Sequence, residues 1–121
     1  MALNGILNII RKFGLNNTRS MIVYNVTVNV DDQIHEEWVE WMRTVHIPEV
    51  LSTGLFTGHR FLRLLSRFEE ETGTTYAVQY YMRTADDYEK YRNDHAPALQ
   101  AKTVNKFAGG FMAFRTLLEE V

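Results

Sequence analysis

No cysteine occurs among these 121 residues. Its absence excludes disulfides, thiolate nucleophiles and cysteine-ligated zinc or iron–sulfur sites, and it fits a reducing compartment, so a cytoplasmic location is expected. Neither sign of charge is much in excess: 13 Lys and Arg stand against 15 Asp and Glu, a net charge of −2, with a pI near 6.1. A nucleic-acid binder needs a basic face to displace counterions from phosphate, and this balance does not supply one. The six Tyr and seven Phe therefore read as core and not as a base-stacking platform. No apolar run approaches the roughly 20 residues of a membrane span. Proline is scarce as well: the two prolines lie in "HIP" (46–48) and "HAP" (95–97), each two residues after a histidine.

What is present suits one domain, since 45% of the residues are hydrophobic, enough for a core without staples. Residues 1–20 stand apart as an N-terminal extension. Leu3, Ile6, Leu7, Ile10 and Phe13 recur at helical spacing beside Arg11 and Lys12, the pattern of a short amphipathic helix. The basic residues follow the apolar stretch, the reverse of a signal peptide. A polar linker, Asn16 to Ser20, leads into the domain at residues 21–121.

Within that domain "MIVYNVTVNV" alternates Ile22, Tyr24, Val26, Val28 and Val30 with Asn25, Thr27 and Asn29, the period of a strand with one apolar and one polar face. Asp31 or Asp32 is expected to cap a helix carrying Ile34, Trp38, Trp41, Met42 and Val45 on one side. Pro48 marks its end or a kink, and Gly54 closes the following turn. Strands are expected over about 57–67 and in "TTYAVQYYM", with "EEETG" between them as a solvated turn. Thr84 with Asp87 forms a capping-box variant before a helix bearing Tyr88, Tyr91, His95 and Leu99. Gly109 and Gly110 release the chain into a last strand, "FMAFRTLL". The order β-α-β-β-α-β predicts an α+β, ferredoxin-like domain with a four-stranded antiparallel sheet.

The two halves of that topology are related by a pseudo-two-fold axis, so His46 and His95 are expected far apart. A shared metal site between them is disfavoured, and no His-x-x-x-His pair occurs elsewhere to supply one; no cofactor is expected. A structural role is simpler: each proline leaves carbonyls unpaired at a helix end, and a histidine there can donate to one of them. The competing reading makes His46 a pocket residue. Asn25, Thr27, Asn29, His59, Arg63, Gln79 and Arg115 are expected to share one sheet face. That face is a polar cavity for a small acidic or carbonyl ligand, ordinary solvated surface, or the surface that meets a second copy. Phe61, Leu65, Phe111 and Ala113 favour the last by making it apolar.

The stretches "MIVYNVTVNVD", "HIPEVLSTGLFTGHRFLRLL" and "GGFMAFRTLLEE" resemble an uncharacterised bacterial family, DUF4286, within the dimeric α/β-barrel superfamily. The resemblance covers about Met21 to Val121. It implies a homodimer whose two sheets face each other, with pockets between sheet and helices. The superfamily's haem-degrading branch uses an Asn on the first strand, a Trp on the third and a His on the second helix. Asn25 and His95 match two of these places, but "TTYAVQYYM" contains no Trp.

Two functions follow from these readings. One is a small-ligand-binding or regulatory homodimer, with Tyr24, Trp38, Trp41, His46 and Arg63 lining the pocket. The other is a cofactor-independent monooxygenase or isomerase acting on an aromatic or carbonyl substrate, with His46 or His95 moving a proton and Asn25 or Arg115 holding an oxyanion. The expected partners are a second copy and a small molecule, with neither nucleic acid nor a membrane span.

Overall fold

The structure is a computed structural model and describes residues 21–67 and 69–121. The extension read over residues 1–20 lies outside the described residues. Strand β1 (Ile22–Val30) is followed by helix α1 (His35–Trp41), a π-helical stretch (Met42–His46) and helix α2 (Ile47–Leu51). Strands β2 (Gly58–Arg63) and β3 (Thr74–Met82), helices α3 (Ala85–Asp94) and α4 (Ala96–Phe107), and strand β4 (Phe111–Glu119) complete the domain. The sheet is antiparallel in the order β2-β3-β1-β4. This is the split βαβ arrangement, and the four-stranded sheet is open within one chain.

Strand β1 is paired on both edges, and its alternation sorts the molecule into two sides. Ile22, Tyr24, Val28 and Val30 are buried beneath the helices, while Asn25, Thr27 and Asn29 face the other way. The registers Tyr24↔Tyr80, Val26↔Val78 and Val28↔Tyr76 carry that division to β3. Trp38, Met42, Ile47, Val50, Leu99 and Phe107 close the core from the helical layer. Each fully buried aliphatic side chain here, such as Val30 or Val50, contributes about 1.5–3 kcal/mol.

The helix after β1 differs from expectation at both ends. Neither Asp31 nor Asp32 caps it by its side chain. Their backbone carbonyls instead accept from Ile34 and His35, and Ile34 occupies the cap position without a side-chain bond. Pro48 does not end the helix. It sits in the first turn of α2, where its missing N–H costs nothing, and the widened turn before it lets the Ile47 N–H reach the Met42 carbonyl. The second proline behaves differently: His95 ends α3 and opens α4 in a non-helical conformation. The repeated His-x-Pro is thus one device for a bulge and another for a break. The cap at Thr84 is as expected, its hydroxyl accepting from the Asp87 N–H at 3.2 Å.

The β2–β3 connection is held against the central strand. Gly73 has φ +72°, and a Cβ there would lie 2.5 Å from the Val30 carbonyl oxygen, whereas Gly54 at φ +79° faces open space. Gly54→Ala is therefore expected to cost only the left-handed backbone penalty, about 1–2 kcal/mol, and Gly73→Ala clearly more. Urea unfolding of the two variants checks this; equal losses would show that the hairpin can shift away from β1 freely.

Candidate functional site

The registers place Arg115 opposite Val26 and Arg63 opposite Tyr76, so both arginines lie on the helical side with the core. His59, opposite Tyr80, does too. Asn25 pairs with Gln79 and Thr116 on the other side, where its amide donates to the hydroxyls of Thr27 and Thr116 at 3.1 and 3.3 Å. The expected single polar face is therefore two. Asn25, Thr27, Asn29 and Gln79 share the open face, while His59, Arg63 and Arg115 belong to the helical one. The apolar residues exchange likewise. Phe61, Phe111 and Ala113 point to the helices, and the open face carries Leu62, Leu64, Met112, Phe114 and Leu118, with Met112 79% and Phe114 62% exposed.

Between the sheet and the helices lies a cavity of about 40 Å³. Tyr24, Val26, Val78 and Tyr80 form its floor, and Trp38, Met42 and His46 its roof. Gln100 and Thr103 from α4 and Arg115 from the edge strand β4 mark its more exposed rim. Of the expected pocket and proton-transfer residues, Tyr24, Trp38, His46 and Arg115 meet here. Trp41 stands behind His46, its ring stacked on the imidazole at 5.1 Å and edge-on to Phe107 at 5.3 Å. Arg63 lies over the Tyr76 ring, 5.8 Å from its centre, at the opposite edge of the sheet. His95 stacks on Tyr91 at the helix junction, and Asn25 is on the far side of the sheet.

His46 lies four residues after Met42, so helical spacing puts both on one face, and both line the cavity across the π-helical turn between Met42 and Ile47. No described residue accepts or donates a hydrogen bond to the His46 side chain, so the expected bond to a free carbonyl is not made. Burial pulls its pKa from 6.5 down to about 4, with Glu49 opposing the fall and the Arg115 and Lys102 charges adding to it. Burial also raises the Tyr24 hydroxyl, against the nearby Arg115 charge, and pushes those of Tyr80 and Tyr91 up further. At neutral pH the cavity thus holds a neutral imidazole, neutral phenols and one guanidinium.

Two donors stand out. The Trp38 indole nitrogen and the Tyr80 hydroxyl are buried with no partner among the described residues, their side chains only 1% and 2% exposed. Buried polar groups are nearly always paired, and both of these residues line the same cavity. The sequence reading missed Tyr80. Its signal was available: it shares the inward parity of Tyr76 and Val78 on a strand buried by the helices, where a tyrosine hydroxyl needs a partner. Gln100 and Thr103 were also missed, one turn apart on a helix read only for its apolar positions. Among the described residues no group of three or more His, Asp or Glu gathers as a metal site, and no helix is long and apolar enough to cross a membrane.

Fold and cleft together define a ferredoxin-like α+β domain with a donor-lined cavity under its helices. The chain belongs to the family described as "Domain of unknown function (DUF4286)", whose model matches residues 21–121. No curated protein matches it. Among solved structures it is similar to an ethyl tert-butyl ether d (EthD) family protein from Bacillus halodurans, at 17% identity over 83% of this chain and 99% of that one, TM-score 0.62. It is similar also to a MhuD variant crystallised with two manganese protoporphyrin IX molecules per active site, at 18% identity over 83% and 92%, TM-score 0.52. A third is a dimeric ferredoxin-like protein from an uncultured marine organism, at 11% identity over 85% and 97%, TM-score 0.51. At these identities the likeness shows the fold alone.

The His46 environment makes stability depend on pH. The unfolded chain takes up a proton near pH 6.5 that the folded chain refuses until about pH 4. The residue's contribution is whole above that window and is lost as pH falls through it, on the order of 3 kcal/mol in full. Urea unfolding at stepped pH should show this slope in the parent chain and a flatter profile between pH 6.5 and 5 in His46→Gln. Parallel profiles would mean that the imidazole is not desolvated.

Proposed function

We propose that this domain binds a small molecule in the cavity between its sheet and helices, and that it does so as a homodimer joined through the open sheet faces. The observation that carries the first half is the pair of buried, unpartnered donors, Trp38 Nε1 and Tyr80 Oη, on two residues that line one cavity. Leaving such a group unpaired costs about 1–3 kcal/mol, and a ligand that accepts from it removes that cost. One neighbouring fold supports the reading by precedent, since the MhuD variant holds porphyrins.

The open face supports the second half. Leu62 and Phe114 flank Ala77 and Thr27 in one cross-strand row, and Leu64 and Met112 lie beyond Thr75 and Asn29 in the next. Large apolar side chains this exposed and adjacent mark an interaction surface. The donors between them are tied to their neighbours, Asn25 donating to Thr27 and Thr116, Asn29 to Thr75, and the Tyr81 hydroxyl to Gln79, while the Asn25 amide oxygen has no partner among the described residues. A second copy can therefore cover this face without stranding those donors.

Proton-transfer catalysis by His46 is the second reading, because the imidazole lines the cavity near Arg115. A base with a pKa near 4 lies far from the neutral range where general bases work best, which weighs toward binding. Native mass spectrometry of freshly purified protein tests the reading. The expected result is a species at twice the 14.1 kDa chain mass carrying a non-covalent adduct that denaturation removes, with Phe114→Glu giving monomer. A bare monomer at micromolar concentration would contradict both halves.

A further inference from the structure

We propose that the ligand of this cavity is a small organic monoanion, a carboxylate or enolate oxygen end on an apolar body. This rests on reading the cavity as a ligand site and adds the chemistry it selects. The polar lining is rich in donors. An indole N–H and a guanidinium can only donate; these are Trp38 and Arg115, and the Tyr80 hydroxyl is free to join them. Among the described residues no Asp or Glu lines the cavity, so an ammonium ligand would find no counter-ion there.

The charge balance points the same way. Lys102 is paired with Glu49 at 2.8 Å and Lys106 with Glu37 at 3.4 Å, whereas Arg115 has no carboxylate within ion-pair distance among the described residues. Arg115 is exposed, yet its charge reaches Tyr24, Tyr91 and His46, which places it at the mouth of the cavity. One unpaired cation suits one negative charge and not a polyphosphate. The remaining wall is apolar, with Val26, Val28, Val78, Met42 and Phe111, so the carbon body of the ligand needs no polar decoration. The volume of about 40 Å³ holds only the oxygen end, and the body extends past the rim that Gln100, Thr103 and Arg115 share.

Three nearly isosteric probes separate the alternatives: benzoate, benzamide and benzamidinium, titrated into the full chain by calorimetry at low salt. Benzoate is expected to bind at least about tenfold more tightly than benzamide, benzamidinium not measurably, and the benzoate advantage to shrink as salt is added. Arg115→Gln should remove that advantage and leave benzamide unchanged, while Tyr80→Phe weakens both. Equal binding of benzoate and benzamide, or a preference for benzamidinium, would overturn the anion assignment and leave the ligand site standing. If none of the three binds to protein that carries an adduct in native mass spectra, the assignment also fails alone. If none binds and no adduct is found, the site fails with it.

Discussion

Everything in this domain depends on the two-residue period of β1. That strand is hydrogen-bonded along both edges, and nine residues of it pair with β3 and nine with β4, so its side-chain parity is imposed on the whole sheet. A slip of one residue would send Tyr24, Val26 and Val28 to the open face and bring Asn25, Thr27 and Asn29 under the helices. The buried apolar set of β1 makes that slip costly. The cavity inherits its floor from this constraint: Tyr24 and Val26 from β1, Tyr80 and Val78 from β3, and Arg115 from the edge.

The helical layer adds the polar half of the site through a local irregularity. A regular helix from His35 to Leu51 would conflict with Pro48, which can neither donate to the preceding turn nor tolerate the carbonyl there. The π-helical turn resolves the conflict one turn early. Within that turn His46 sits in a desolvated place against Trp41 and beside Arg115. π-turns occur often at functional positions, and this one lies beside the cavity.

Much of the fold was legible because the long elements have clear periods. The alternation of β1 and β3, the Thr84 cap and the glycines after the helices all appear where the residues imply. Register was not legible. The two edge strands, "GHRFLR" and "FMAFRTLLE", carry large apolar groups at both parities, because Phe61 and Phe111 meet helices while Leu62, Met112 and Phe114 lie on the open face. With no clean alternation to read, residue pattern alone puts Arg63 and Arg115 with Asn25, from which the sheet separates them. The site was legible in part for the same reason: Trp38 and His46 follow from helical spacing, whereas Tyr80 is revealed only when the burial of its hydroxyl is known.

The Tyr80 hydroxyl has no partner among the described residues, and whether it is unpaired in the ligand-free domain can be measured directly. Tyr80→Phe deletes that one oxygen and keeps the ring that packs against Tyr24 and Phe56. If the hydroxyl is unpaired, its removal relieves a desolvation cost, and urea unfolding of ligand-free protein should show stability unchanged or raised by about 1 kcal/mol. A loss of about 2 kcal/mol or more would mean that the hydroxyl is already satisfied within the fold, and the case for a ligand in this cavity would lose its foundation.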